Sequence, residues 1–165
     1  LLGPEMKSTG EVMGVGSNFG QAYAKAMEGA GDLLPRSGKA LLSVRDVDKE
    51  RIVEVARELS SRNFELAATG GTCNVIQAVG IACTRFNKVA EGRPHIVDMI
   101  KNDEFNLIIN TTDGKKAIED SAAIRRAALR HKVSYTTTMS GGEAICLALK
   151  ESDSTNVIRL QDLHG

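Results

Sequence analysis

Short apolar runs alternate along this chain with stretches of helical periodicity. The runs are rich in apolar and β-branched residues, and most are followed by a polar loop and then by a helical pattern. They cover residues 40–44, 65–69, 83–88, 106–110 and 133–138. Parallel strands need a crossover of about a dozen residues, usually a helix, between one strand and the next. The alternation therefore predicts an α/β fold in which a parallel sheet is sandwiched by helices.

The clearest helical pattern covers Lys49–Ser61, where apolar positions recur at intervals of three and four residues. Asp48 precedes this helix and is predicted to be its N-cap. Further helices are predicted at residues 21–27, 73–79, 96–101, 121–131 and 142–149, and one more edge strand at 157–160.

Length and charge restrict the functions that such a fold could serve. The chain has 165 residues, which is enough for one domain. Its 21 basic and 21 acidic side chains give a formal net charge of zero, which argues against the broad basic surface of a nucleic-acid binder. No apolar run approaches the ~20 residues that span a bilayer, and no signal peptide is recognisable. We therefore expect a cytoplasmic protein with neither a nucleic-acid nor a membrane partner.

The cysteines and histidines form no recognisable disulfide or zinc pattern. Cys73, Cys83 and Cys146 are odd in number and include no C-x-x-C pair, and the three histidines are scattered. We therefore expect no metal and no cofactor in this chain.

Residues 1–16 are glycine-rich and aperiodic, so they are interpreted as a severed joint to a preceding domain, and residues 17–165 as the folded domain.

The loop after the second predicted strand has the composition of a phosphate-binding turn. In an open parallel sheet, ligands bind beyond the carboxyl ends of the strands. Here that loop is Thr69-Gly70-Gly71-Thr72, and its glycines allow backbone N–H groups to approach an anion at the start of the next helix. The alternative is a tight turn in which Thr72 serves only as an N-cap.

Other loop ends on the same side of the sheet carry cations, hydroxyls or an amide. They are Asn110, Thr111 and Thr112 after the fourth strand, Lys88 at the end of the third, and Lys49 at the start of the helix after the first. Taken singly, each also suits a solvated turn. Together they favour a site for a phosphate dianion. Because these loops contain no nucleophile and base couple, the site is predicted to bind rather than to react.

Two other motifs have simpler explanations. The glycines at positions 14, 16 and 20 resemble a dinucleotide fingerprint, but no strand precedes them and the third glycine is one residue late. The basic residues Arg125-Arg126 and Arg130-His131-Lys132 are interpreted as a solvated helix face, with cations placed favourably near a helix C-terminus.

The order of the motifs resembles that of one known family. Residues 5–14 resemble the joint at which the second ATP-using half of a carbamoyl-phosphate synthetase large chain meets its C-terminal regulatory domain. The resemblance continues through residues 40–45, 68–72, 87–96, 108–112 and 118–121, and so covers nearly the whole chain. Residues 5–14 and 91–96 are specific to the bacterial type, whereas the Thr-x-Gly-Thr loop is shared more widely among methylglyoxal-synthase-like domains.

This resemblance implies a three-layer fold with a five-stranded parallel sheet and helices on both faces. It also implies an allosteric domain that binds a nucleotide, with UMP as inhibitor and IMP as activator, and that forms part of an ornithine site at the domain junction. The parent enzyme would use ATP and Mg, assemble with a glutaminase small chain, and make carbamoyl phosphate for pyrimidine and arginine synthesis.

The resemblance also assigns residues to these ligands. The phosphate-binding positions match Lys49, Thr69 and Thr72, with Ser43 close by. The positions that hold the rest of the nucleotide match Lys88, Asn110, Thr111 and Thr112. On the ornithine side, Tyr135 and Thr137 match the family contacts, whereas Thr136 stands where some members carry an acid.

Two other functions are alternatives. Methylglyoxal synthase has the same fold and eliminates phosphate from a triose phosphate, which needs a carboxylate base in the loop after the third strand. That loop is Glu91-Gly92-Arg93-Pro94 here, without the Gly-Gly-Asp pattern of that enzyme. A module that only docks on other proteins would leave the converging cations and hydroxyls unexplained.

Overall fold

The computed structural model describes residues 11–86, 96–102, 104–111 and 115–151, and for Ile96 and residues 115–121 it describes the backbone. The strands are β1 (Gly38–Ser43), β2 (Phe64–Thr69), β3 (Thr84–Phe86), β4 (Leu107–Asn110) and β5 (Ser134–Thr136). The helices are α1 (Phe19–Gly29), α2 (Lys49–Ser61), α3 (Gly70–Ala78), α4 (Ile96–Lys101), α5 (Lys115–Arg130) and α6 (Met139–Glu151). A 3-10 turn, Asp46–Asp48, precedes α2.

The strands form one sheet in the order β3-β2-β1-β4-β5, and every neighbouring pair is parallel. The middle of the sheet is made of continuous apolar runs, because strands covered on both faces have no solvent side. Ala40, Leu41 and Leu42 of β1 are fully buried, as are Leu107, Ile108 and Ile109 of β4. The predicted five-stranded parallel α/β sheet is confirmed.

The strand order assigns the crossover helices to the two faces of the sheet. The chain moves from β1 to β3 in one direction and from β3 to β5 in the other, so right-handed crossovers place α2 and α3 on one face and α4 and α5 on the opposite one. The core under α4 and α5 contains Leu41, Ala67, Ile100, Phe105, Ile108 and Ala128. None of the helices in the described part of the chain has the length and apolar composition needed to cross a bilayer.

The boundaries of several elements differ from the prediction. Helices α2 and α4 begin and end where predicted, but α3 begins at Gly70 rather than residue 73 and α5 at Lys115 rather than residue 121. The prediction for α3 was wrong because Gly-Gly was interpreted as a turn, although glycine is tolerated in the first turn of a helix whose packing is set elsewhere. Residues 87–88 of the third predicted strand and the predicted strand 157–160 lie outside the described residues.

The chain divides into two compact units. The larger, Pro35–Glu143, contains the whole sheet and helices α2 to α5. In the smaller, described residues up to Leu34 meet those from Ala144 onward: Gln21 Nε2 donates to Glu151 Oε2 at 3.1 Å. Asn18 is the N-cap of helix α1, and its side-chain oxygen accepts a hydrogen bond from the backbone N–H of Gln21 at 3.0 Å. The division into residues 1–16 and 17–165 stays a prediction.

Candidate functional site

Residues from neighbouring strands form a polar row along the carboxyl edge of the sheet. Thr69 Oγ1, at the end of β2, donates to Ser43 Oγ at the end of β1 over 3.1 Å. Thr111 N donates to Ser43 O at 2.9 Å, and Asn110 Nδ2 donates to the Tyr135 hydroxyl of β5 at 3.4 Å. The fold therefore brings together five of the predicted site residues, which are separated by up to 92 positions in the sequence.

Two threonines fix the loop that follows β1. Thr72 Oγ1 accepts from Val44 N at 3.1 Å and donates to Val44 O at 3.4 Å. Thr111 Oγ1 accepts from Arg45 N at 3.1 Å and donates to Asp48 Oδ2 at 2.9 Å. A hydroxyl has one hydrogen to donate. Both threonines therefore direct that hydrogen at the protein. The alternative in which Thr72 caps α3 is wrong, because α3 begins at Gly70 and Thr69 occupies its N-cap position.

Asp48 occupies the predicted N-cap position of α2, but its carboxylate binds other partners. It is only 3% exposed, and its side chain caps no described N–H of α2. Instead, its carboxylate accepts from Arg45 Nε at 2.6 Å and from Thr111 Oγ1. The Arg45 hydrogen bond holds the pKa of Asp48 below its usual value, despite the opposing effect of burial. We call Thr72, Thr111, Arg45 and Asp48 the loop lock.

The first turn of α3 is bordered by two cations. The first four N–H groups of a helix have no acceptor within the helix, and in the described chain the Thr69 side chain makes no capping bond to them. A Cβ atom added to Gly71 would lie 2.9 Å from Lys49 Nζ, and one added to Gly70 would lie 2.9 Å from Arg85 Nη2. We call Gly70, Gly71, Lys49 and Arg85 the cationic turn.

The cationic turn contains one residue that the sequence reasoning missed. Arg85 pairs with Ala68 in the register of β2 and β3, and its side chain reaches the start of α3. The period-two alternation of a strand is the signal that could have placed it on the α3 face. Lys49 Nζ also lies 2.6 Å from Asp46 Oδ1, whose side chain is 91% exposed.

A bidentate ion pair connects α2 to the N-terminal half of α6. Arg51 Nε donates to Glu143 Oε1 at 2.9 Å and Arg51 Nη2 donates to Glu143 Oε2 at 2.7 Å. These hydrogen bonds lower the pKa of Glu143. Since Lys49 opens α2, the pair links the helix that carries Lys49 to the segment that follows β5.

Of the remaining predicted residues, the structure describes Thr137, which is not part of the polar row. Thr137 is partly buried after β5, and among the described residues no hydrogen bond joins it to the polar row. Lys88 and Thr112 lie outside the described residues, as does the loop Glu91-Gly92-Arg93-Pro94. The described donors at the start of α3 include an ammonium, a guanidinium and backbone N–H groups that no Thr69 side-chain bond caps, and these suit a phosphate group.

Comparison with known proteins agrees with this architecture. The family model for the MGS-like domain matches residues 51–137, from α2 to the end of β5. The chain belongs to the MGS-like domain family. The family resemblance inferred from the motifs is thereby confirmed.

This MGS-like domain is also similar to part of a much longer protein. It is 60% identical over 165 residues to the carbamoyl phosphate synthase large chain of Pseudomonas putida, and equally to that of Pseudomonas syringae. It spans 15% of the length of each relative and corresponds to the C-terminal part. The large chain of Vibrio cholerae is 51% identical over the same length.

A solved structure shares the fold. The crystal structure of methylglyoxal synthase from Elizabethkingia anophelis matches with a TM-score of 0.55, covering 70% of this chain and 80% of that one. The sequences are 20% identical, so this likeness concerns the fold alone.

Proposed function

We propose that this MGS-like domain is the allosteric domain of a carbamoyl phosphate synthase large chain and that it binds a nucleotide, UMP as inhibitor or IMP as activator. The observation that carries the proposal is the cationic turn, where Lys49 Nζ and Arg85 Nη2 border the start of α3. The extensive identity to carbamoyl phosphate synthase large chains supports the assignment to that enzyme.

In this proposal the phosphate binds to the backbone N–H groups of Gly70 and Gly71 and to the side chains of Lys49 and Arg85. Ser43 accepts a hydrogen bond from Thr69, which leaves the hydrogen of its own hydroxyl as a further donor. Thr69 thus acts by orienting Ser43. Thr72 acts by holding Val44, and both remain part of the proposed phosphate site.

The rest of the nucleotide is assigned to the polar row and to residues beyond the described ones. Asn110 lies at the carboxyl edge beside Ser43. Thr111 donates its hydroxyl hydrogen to Asp48, so we assign it a positioning role in the loop lock. Lys88 and Thr112 are proposed on the family resemblance.

The proposed regulation rests on differential affinity. A phosphate on the cationic turn would favour one position of Lys49 and therefore of α2, which the Arg51–Glu143 pair connects to α6. The Asn110–Tyr135 hydrogen bond links the proposed nucleotide residues to the proposed ornithine side, Tyr135 and Thr137. If these contacts differ between two states of the parent enzyme, nucleotide and ornithine affinities are coupled reciprocally. The remainder of the large chain, with its ATP and Mg sites, and the glutaminase small chain would respond to that coupling.

Calorimetry on the 165-residue chain tests the proposal. UMP and IMP should bind, whereas uridine and inosine should bind at least about tenfold more weakly, because they lack the charge-assisted hydrogen bonds of the phosphate. UMP should also compete with IMP. Equal affinities for UMP and uridine would contradict a phosphate site at the cationic turn.

Methylglyoxal synthase activity is the second candidate, and the shared fold favours it. Elimination of phosphate from a triose phosphate needs a carboxylate that acts as a base. Among the described residues of this edge, the buried carboxylate is Asp48, whose lowered pKa and two hydrogen-bond donors make it a weak base. Dihydroxyacetone phosphate should therefore give no methylglyoxal above background, and enzymatic turnover would overturn the regulatory assignment.

A further inference from the structure

A cavity lies between α4 and α5, on the opposite face of the sheet from α2 and α3. Its volume is about 410 Å³, within the range of small-molecule sites. Its floor is apolar and its remaining lining is basic. The floor is formed by Val97, Ala123 and Ala127, and the basic residues are Lys101, Arg126, Arg130 and His131.

This cavity is separate from the cationic turn. Both α4 and α5 run from the carboxyl edge of the sheet towards its amino edge, because each connects the end of one strand to the start of the next. Lys101 and Arg130 are the last residues of the two helices, so they lie towards the amino edge. Gly70 and Gly71 lie at the carboxyl edge, directly after β2.

The charged side chains that line the cavity in the described part of the chain are all basic. None of the described residues that line it is acidic. Within the described part of the chain, Lys101, Arg126 and Arg130 form no salt bridge. The helix dipole accounts for cations at the ends of α4 and α5. It does not account for Arg126, one turn earlier, or for the convergence of two helices on an apolar floor.

We propose that the cavity between α4 and α5 binds a small organic anion that combines a ring-sized apolar body with a phosphate monoester group. The guanidinium groups of Arg126 and Arg130, four residues apart on α5, can each donate two parallel hydrogen bonds to such a group. Val97, Ala123 and Ala127 cover the apolar body. An acidic helix of a partner fits less well, because α4 has six residues and is only about 9 Å long.

Titration of the ¹⁵N-labelled chain by NMR tests this proposal, with 1-naphthyl phosphate as the probe. The probe could also bind the cationic turn, so the titration is repeated with Lys49→Ala. In both chains, saturable shifts are expected at the amides of Val97, Ala123, Ala127 and Lys101. Inorganic phosphate and 1-naphthol should each bind at least about tenfold more weakly, because each lacks one half of the proposed ligand. Shifts that disappear in Lys49→Ala, or that avoid α4 and α5, would overturn the proposal.

Matched variants assign the binding to the cavity. The double variant Arg126→Gln with Arg130→Gln should raise the Kd at the cavity at least about tenfold, since two charge-assisted contacts are lost. Arg125→Gln, at an exposed position that does not line the cavity, should change it less than about twofold. Ala123→Leu should fill the floor of the cavity and weaken binding of the probe, whereas Ala122→Leu, at an exposed position outside the lining, should leave binding unchanged. Equal effects within either pair would contradict a site between α4 and α5.

Discussion

The loop lock and the cationic turn lie at the same edge of the sheet and use their polar groups in opposite ways. In the loop lock, the hydroxyl hydrogens of Thr72 and Thr111 point at Val44 and Asp48. In the cationic turn, backbone N–H groups at the start of α3 lie beside Lys49 and Arg85. The difference teaches that residue type at a strand end does not identify a ligand contact. The partners that the fold supplies to each hydrogen decide it.

Replacement of Asp48 should produce the largest effect, on stability. Asp48→Ala leaves the buried Thr111 hydroxyl without its acceptor and removes the charge-assisted hydrogen bond from the partly exposed Arg45 side chain, so the free energy of unfolding should fall by about 3 kcal/mol. Urea denaturation measures this loss. Asp46→Ala is the matched control in the same turn, and because Asp46 is exposed its effect should stay below about 0.5 kcal/mol. Similar losses in both variants would contradict the loop lock.

The pH dependence of stability should identify the charge of Asp48. Its folded pKa is lowered, so the stabilisation is fully present above the unfolded value of about 3.9 and is lost as pH falls through the folded pKa. The difference in unfolding free energy between the native chain and Asp48→Asn should be constant from pH 7 to about pH 5 and should shrink in acid. A difference that grows in acid would contradict this sign.

Replacement of Lys49 should separate binding from stability. Lys49→Ala removes one charge-assisted contact to phosphate and should weaken UMP binding roughly thirtyfold in calorimetry. Its unfolding free energy should change by less than about 0.5 kcal/mol, because its pair with Asp46 is a surface pair. Lys25→Ala, on α1, is the control and should leave UMP affinity unchanged. An unchanged affinity for Lys49→Ala would exclude Lys49 from the phosphate site.

Arg85 should contribute less than Lys49, because it lies on an exposed edge strand where solvent screens its charge. Arg85→Leu should weaken UMP binding about fivefold and should reduce the dependence of affinity on salt. Arg57→Leu, on the exposed side of α2, should change neither quantity. If Arg85→Leu and Arg57→Leu have the same UMP affinity and the same dependence on salt, the phosphate does not contact Arg85.

Replacement of Asp46 should have the smallest effect on UMP affinity, and it should strengthen binding rather than weaken it. Its carboxylate lies 2.6 Å from Lys49 Nζ and so competes with a bound phosphate for that ammonium. Asp46→Asn should strengthen UMP binding about twofold at low salt, with no gain at high salt where the surface pair is screened. Weaker binding would mean that Asp46 positions Lys49 instead of competing for it.

Much of the fold was predictable because the information is local. Apolar runs located the five strands of the described residues to within a few positions, and the amphipathic pattern gave α2 its observed limits. Helix α5 was predicted too short because its first residues, Lys115-Lys116-Ala117-Ile118-Glu119-Asp120, offer few apolar positions to reveal a period. The sequence also predicted that the glycine pair and Lys49 belong to a phosphate site, because a turn and a cation near a strand end can be recognised from adjacent residues.

The sequence by itself determined the parallel α/β architecture and the presence of a glycine turn beside cations. The tertiary structure decided which of those polar groups are already occupied: Asp48 stands at the predicted N-cap position, but its carboxylate accepts from Thr111, 63 positions away, and makes no capping bond to α2. It also brought Arg85 to α3 and gathered Lys101 with the basic stretch of α5 around one cavity. The physical reason is the short range of hydrogen bonds and ion pairs, which act over about 3 Å. Local pattern fixes the elements, but only their packing sets which side chains come within that distance.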